Sequence, residues 1–168
     1  MAIDTLFEID ALYHLLVPLI VIRLVSLYYK LDKKLILILS TFALIPDFDF
    51  FFGWHRALFH NLFFGIIIVL LAVLVLKKYY KKSHIVLLGS FFFISHDILD
   101  NFMVAWLYPF VKYHFNPFTM KHVSLQAMNA AKPLITTEAA LFGLIGLMVI
   151  YSLLAYEIYR ENAKKSKK

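Results

Sequence analysis

The sequence predicts an all-α fold: a polytopic membrane helix bundle of about five membrane segments, the second of them short or broken. Three observations predict it. Of the 168 residues 62% are hydrophobic and only 17% are charged, against about 45–50% and about a quarter in soluble domains, so charge is too sparse to coat so apolar a globule. The apolar residues lie in long runs, and mean hydropathy is +0.77. The 17 Lys and Arg fall in short clusters between those runs, which is the pattern of membrane topology. Disorder and a nucleic-acid-binding module are thereby excluded. No cysteine is present, which excludes disulfides and thiolate metal sites and leaves His, Asp and Glu as the metal ligands.

The first run, over about 11–29, is preceded by Asp4, Glu8 and Asp10 but by no Lys or Arg. That is unlike a cleaved signal peptide, and it reads as a retained first helix. Beyond Lys30, Lys33 and Lys34 a second run over 35–45 stops at Pro46, short of the roughly 20 residues a span requires. It is a half-span or a broken helix. Further runs cover about 57–76, 85–108 and 135–159, with Lys77, Lys78, Lys81 and Lys82 between the first two. Placing both basic hinges and the tail cations Arg160, Lys164, Lys165, Lys167 and Lys168 on one side leaves Arg56, Lys112, Lys121 and Lys132 opposite. The positive-inside rule then orients the chain N-out, C-in. Residues 1–160 form one transmembrane helical domain and 161–168 a basic cytoplasmic tail, in a multi-pass protein of the cell membrane. The stretch 103–136 becomes an outer re-entrant or surface region anchored by Trp106, Tyr108 and Tyr113.

An ionisable residue at membrane depth is costly and by default marks function. Counting 1.5 Å per residue from the nearest inner basic residue puts His14, Asp47, Asp49, His60, His96 and Asp100 roughly 20–27 Å up, with His55 and Glu138 at about 33 Å. These side chains share one layer in the outer half of a hydrocarbon core about 30 Å thick. In the inner half only Arg23 stands out, near enough to its helix end to snorkel.

His96 and Asp100 are i and i+4 on one helix face, spaced to supply two ligands. Pro46 breaks the helix at PDFD, so Asp47 and Asp49 either turn inward or cap the reversal. His55 and His60, at i and i+5, diverge on a regular helix, which puts His55 in the approach and His60 in the first turns of the third segment. Arg56 offers a cation for phosphate or carboxylate. Asp97 points about 100° away from His96, toward a lysine or water, or else serves as a general base. Glu138 is a helix N-terminal charge, a ligand or a base, and His14 is a ligand, a supporting group or a packing residue. His84, His114 and His122 read as solvated. Imidazoles with carboxylates favour one or two divalent ions, Zn²⁺ first, with Mn²⁺ and Fe²⁺ as alternatives.

PDFD, then HRALFH, then HDILD followed by LYPF resemble the PDxD, HRxxxH, HxxxD and aromatic-Pro-Phe pattern of the predicted membrane-bound, metal-dependent hydrolases of the YdjM type. The resemblance covers roughly residues 10–110. It implies a metal-binding and hydrolytic centre at Asp47, Asp49, His55, His60, His96 and Asp100, with Arg56 beside it and His14 as the early helix-one histidine. The sequence departs from the usual form at Ala57, Phe59 and Asn61, where a small residue and a Ser or Thr flank the second histidine.

The expected function is a hydrolase in which the ion activates water, Arg56 binds substrate charge, and Glu138 or Asp97 takes the proton. The depth of the layer suits a lipid or lipid-linked ester or phosphoester reaching it sideways from the bilayer. The alternative is a transporter or an ion or proton relay around the broken helix, which expects charge to continue through the inner half.

Overall fold

The computed structural model describes residues 4–48, 58–99, 104–110, 113–116, 121–124 and 137–166. Among them are five α-helices, α1 (Asp4–Tyr28), α2 (Lys33–Ser40), α3 (Leu62–Leu76), α4 (Lys82–Leu99) and α5 (Thr137–Lys165), and two short strands, β1 (Tyr113–Asn116) and β2 (Lys121–Ser124). The all-α expectation holds for the body. The strands form an antiparallel ribbon, Tyr113 opposite Ser124 and Asn116 opposite Lys121, inside the segment read as an outer surface region.

α4 organises the bundle. Its buried residues are Ile85, Leu88, Gly89, Phe92, Phe93, His96 and Asp97, the i, i+3, i+4, i+7 spacing of a single helix face. α1, α2 and α3 all pack on α4, while α5 packs on α1 and α2. The core is Leu15, Leu16, Leu19, Leu35, Leu39 and Phe92 with their neighbours from α1, α2, α4 and α5.

Two close approaches depend on glycine. A Cβ on Gly65 would lie 2.6 Å from the Phe93 ring, and one on Gly146 would lie 2.9 Å from Leu16. Small residues let helix backbones approach in this way where no water drives them together. Phe93 is itself buried and has no room to retreat. Gly65→Val is therefore expected to overpack the α3–α4 seam and lower the thermal midpoint by roughly 5 °C, as read by thermal melting in detergent.

Local chemistry sets the element boundaries. Asp32 caps α2 by accepting from the Lys34 and Leu35 amides at 2.9 and 3.1 Å. α2 gives way to a 3-10 turn at Thr41–Ala43, so the second segment is short, as its length predicted. Asn61 caps α3 by accepting from the Phe64 amide at 2.9 Å. His60 thus precedes α3 and does not lie in its first turns, because Asn61 is the better cap. The fourth run is not one helix to Tyr108: α4 is described to Leu99, and 104–110 form turns. There the Trp106 carbonyl accepts from the Leu62 amide at 2.9 Å, tying this segment to the start of α3.

By length and composition, one described helix can cross a membrane, Leu141–Lys164 within α5, while Leu12–Tyr28 and Leu62–Leu76 are apolar but shorter. α5 itself runs past residue 160 to Lys165. The exterior is apolar, with Ile67, Leu70, Leu71 and Leu74 exposed on α3 and Phe142, Met148 and Val149 on α5. The buried polar residues are His14, Ser40, Asp47, His60, Asn61, His96 and Asp97. These polar side chains are thus buried within an otherwise apolar core, beneath an exterior that is itself apolar.

Arg23 does not merely snorkel. Its guanidinium pairs with Glu157 of α5 and donates to Ser26 Oγ at 3.1 Å, while Lys33 pairs with Glu161 and lies 3.4 Å from Glu157. Arg23 and Glu157 are 134 positions apart, so no local spacing announces the pair.

Candidate metal centre

Four elements bring five titratable side chains together. α1 supplies His14, the turn after α2 supplies Asp47, the approach to α3 supplies His60, and α4 supplies His96 and Asp97. His60, His96 and Asp97 are fully buried, and His14 and Asp47 are only 3% and 6% exposed. The ligand atoms of His14, Asp47 and His96 all lie within 4.8 Å of one another, as do those of His60, His96 and Asp97.

His96 is the shared member. Its Nδ1 lies 2.8 Å from the Ala43 carbonyl, so Nδ1 carries the proton and Nε2 presents its lone pair. The sequence explains why that carbonyl is available. In a 3-10 turn it would accept from the amide three residues on, and residue 46 is proline, which has no N–H. Pro46 therefore does more than end the helix: it leaves Ala43 free to orient a histidine from another helix.

Nε2 of His96 faces Nε2 of His60 at 3.0 Å and Oδ1 of Asp47 at 3.4 Å. On the other side of the carboxylate, Oδ2 lies 3.7 Å from His14 Nδ1, and the His14 and His96 rings meet edge on at 4.1 Å. Bonds of 2.0–2.1 Å in tetrahedral geometry separate neighbouring ligand atoms by about 3.3–3.4 Å. The observed 3.0, 3.4 and 3.7 Å bracket that value. A histidine whose second nitrogen donates to a backbone carbonyl is also the usual arrangement behind a metal-bound imidazole. The residues present fit a divalent ion. Because Nδ1 of His96 is engaged, only Nε2 remains to bind, and one lone pair serves one ion. Among the described residues the two triads thus overlap at His96, which can serve one ion.

Of the ligands expected from sequence, His14, Asp47, His60 and His96 converge. Asp49, His55, Asp100 and the substrate-binding candidate Arg56 lie outside the described residues. Glu138 is in the first turn of α5, and its side chain also lies outside them. Asp97 corrects the expectation that it turns toward a lysine or water. The buried series 85, 88, 89, 92, 93 continues at 96 and 97, so both residues fall on one wide buried face. Val86, Leu87, Phe91 and Ile94 are equally apolar, so no periodicity in the sequence announced that face.

Compared with known proteins, residues 9–163 match the family described as YdjM inner membrane protein. The chain belongs to the YdjM family. The match spans nearly the whole chain and takes in α1 to α5, well beyond the stretch that carries the short motifs. It places this YdjM protein among inner membrane proteins, in keeping with its apolar exterior. No curated protein and no solved structure matches the chain.

Proposed function

We propose that this YdjM protein is a multi-pass, metal-dependent membrane hydrolase, oriented N-out and C-in, whose centre lies in the outer half of the bilayer. The observation that carries the proposal is the His96 arrangement: Nδ1 held by the Ala43 carbonyl, with Nε2 facing His60 and Asp47. His14, Asp47, His60 and His96 would hold the ion. Three imidazoles and a carboxylate favour Zn²⁺, with Mn²⁺ or Fe²⁺ as alternatives. Such an ion supplies Lewis acidity and activates water near neutral pH.

The chain's own residues do the rest. Asp47 offers both carboxylate oxygens toward imidazoles, Oδ1 to His96 and Oδ2 to His14, and so locks α1 and α4 around the turn after α2. Asp97, buried beside His60 and His96, is the carboxylate placed to take a proton on an oxygen. A groove of about 240 Å³ between α3 and α4, walled by Leu62, Ile66, Phe93, Ile94 and Trp106, lies one turn from His96 along α4. It suits an acyl chain, which supports a lipid or lipid-linked ester or phosphoester as substrate. Hydrolysis is favoured over the relay alternative by Leu19, Leu39, Leu88 and Phe92, which are fully buried between the centre and the Arg23–Glu157 pair and carry no titratable group.

The test is hydrolysis by the purified protein of long-chain and short-chain ester and phosphoester probes, with and without chelator. Expected is chelator-sensitive turnover of the long-chain probes that Asp47→Asn abolishes. A wild-type protein that carries no metal would sink the proposal. Asp97→Asn is expected to keep the metal while lowering turnover about a hundredfold or more, the scale of a lost general base. Elemental analysis and initial rates on the same preparation separate the two effects.

A further inference from the structure

The end of the bundle opposite the His/Asp centre holds a second polar cleft that the hydrolytic reading leaves unused. It encloses about 480 Å³ between α1, the start of α2 and α5, a volume within the range of ligand sites. Four cations and two carboxylates line it: Arg23, Lys33, Arg160 and Lys164 with Glu157 and Glu161. The carboxylates are already committed, Glu157 to Arg23 and Lys33, and Glu161 to Lys33. Among the described residues no ion pair engages Arg160 or Lys164, and the lining has an excess of two positive charges. Those two residues stand at i and i+4 on α5, one turn apart on one face. An arginine fork beside a lysine point charge is a phosphate-binding combination.

Apart from Ser26, the rest of the wall is largely apolar. Leu27, Leu153 and Tyr156 line the same cleft, and all three are at least half exposed. A free phosphate has no use for such a wall, whereas an amphiphile does. We infer that this cleft binds the headgroup of an anionic phospholipid, its phosphate on Arg160 and Lys164 and its glycerol and upper acyl chain along Leu27, Leu153 and Tyr156. Basic pockets between helices at the cytoplasmic side are suited to such lipids. The Arg23–Glu157–Lys33–Glu161 network supplies the rigid floor, since it holds α1, α2 and α5 at fixed separation. The inference rests on the proposed membrane orientation but not on hydrolysis.

The full-length protein in detergent is offered dioleoylphosphatidylglycerol, dioleoylphosphatidylcholine or inorganic phosphate, and retained ligand is counted by native mass spectrometry. Phosphatidylglycerol is expected to be retained over phosphatidylcholine. Arg160→Gln with Lys164→Gln is expected to lower that retention on the order of tenfold, with melting midpoint and metal content unchanged. Glu161→Gln, which removes one of the two carboxylates on Lys33 and one negative charge from the cleft, is expected to raise it, and lowered retention in that variant would overturn the inference. Equal retention of the two lipids overturns the inference, as does retention unaffected by the double substitution. Binding of inorganic phosphate without phosphatidylglycerol overturns the lipid as its source. Metal content and turnover report on the other end of the molecule, so failure here and failure of the hydrolase reading are told apart.

Discussion

His96→Ala is expected to leave the purified protein without bound metal, against an expected content of about one ion per chain in the wild type. The substitution removes a nitrogen that faces both His60 and Asp47, and it also removes the bond that anchors α4 to the Ala43 carbonyl. Loss of a partner behind a ligand typically costs 10–100-fold in metal affinity. Loss of the shared ligand together with its anchor is expected to cost at least a hundredfold. Elemental analysis of wild type, His96→Ala and His84→Ala checks it. His84, toward the other end of α4 and half-buried, is the control for a general effect of losing an imidazole. Full metal content in His96→Ala would mean that the ion sits elsewhere, and the one-site reading would fall.

Stripping the ion with a chelator is expected to lower the thermal midpoint by roughly 5–10 °C. An ion present at about a hundred times its dissociation constant stabilises the native state by about 2.7 kcal/mol, and a chain of this size shifts by roughly 2–4 °C per kcal/mol. The structural cause is local. Without a cation the Asp47 carboxylate, an acceptor on both oxygens, lies buried against the lone-pair nitrogen of His96 at 3.4 Å. Buried acceptors that face each other are costly. The shift should vanish in His96→Ala, since that chain has no ion to lose. Melting curves of both proteins with and without chelator check it, and an equal shift in the two would trace the effect to nonspecific chelator action.

The two predictions draw on different amounts of sequence. His14, Asp47, His60 and His96 were legible as one layer, because helical rise places residues from separate runs at a common depth. Asp97 was not legible as a neighbour of His60, because α4 is apolar on every side and only packing selects its buried face. The Ala43 carbonyl was not legible, because a backbone acceptor has no residue type, and only Pro46, three positions on, hinted that it was free. Glu157 was passed over as part of an apolar run. Its meaning appears only with Arg23 and Lys33 beside it.

By itself the sequence determined the solvent and the layer. Composition and run length depend on no contact, so the apolar character of the chain, its short second segment and the common level of His14, Asp47, His60 and His96 follow from residue order alone. The tertiary structure decided which nitrogen of His96 faces His60 and Asp47, which carboxylates lie beside it, and that the far end of the bundle holds a cleft where, among the described residues, no ion pair engages Arg160 or Lys164. Those outcomes hang on distances of 2.8–3.7 Å between groups on different helices. Residues that meet across helices are separated by tens of positions in the chain, and only packing brings them within reach.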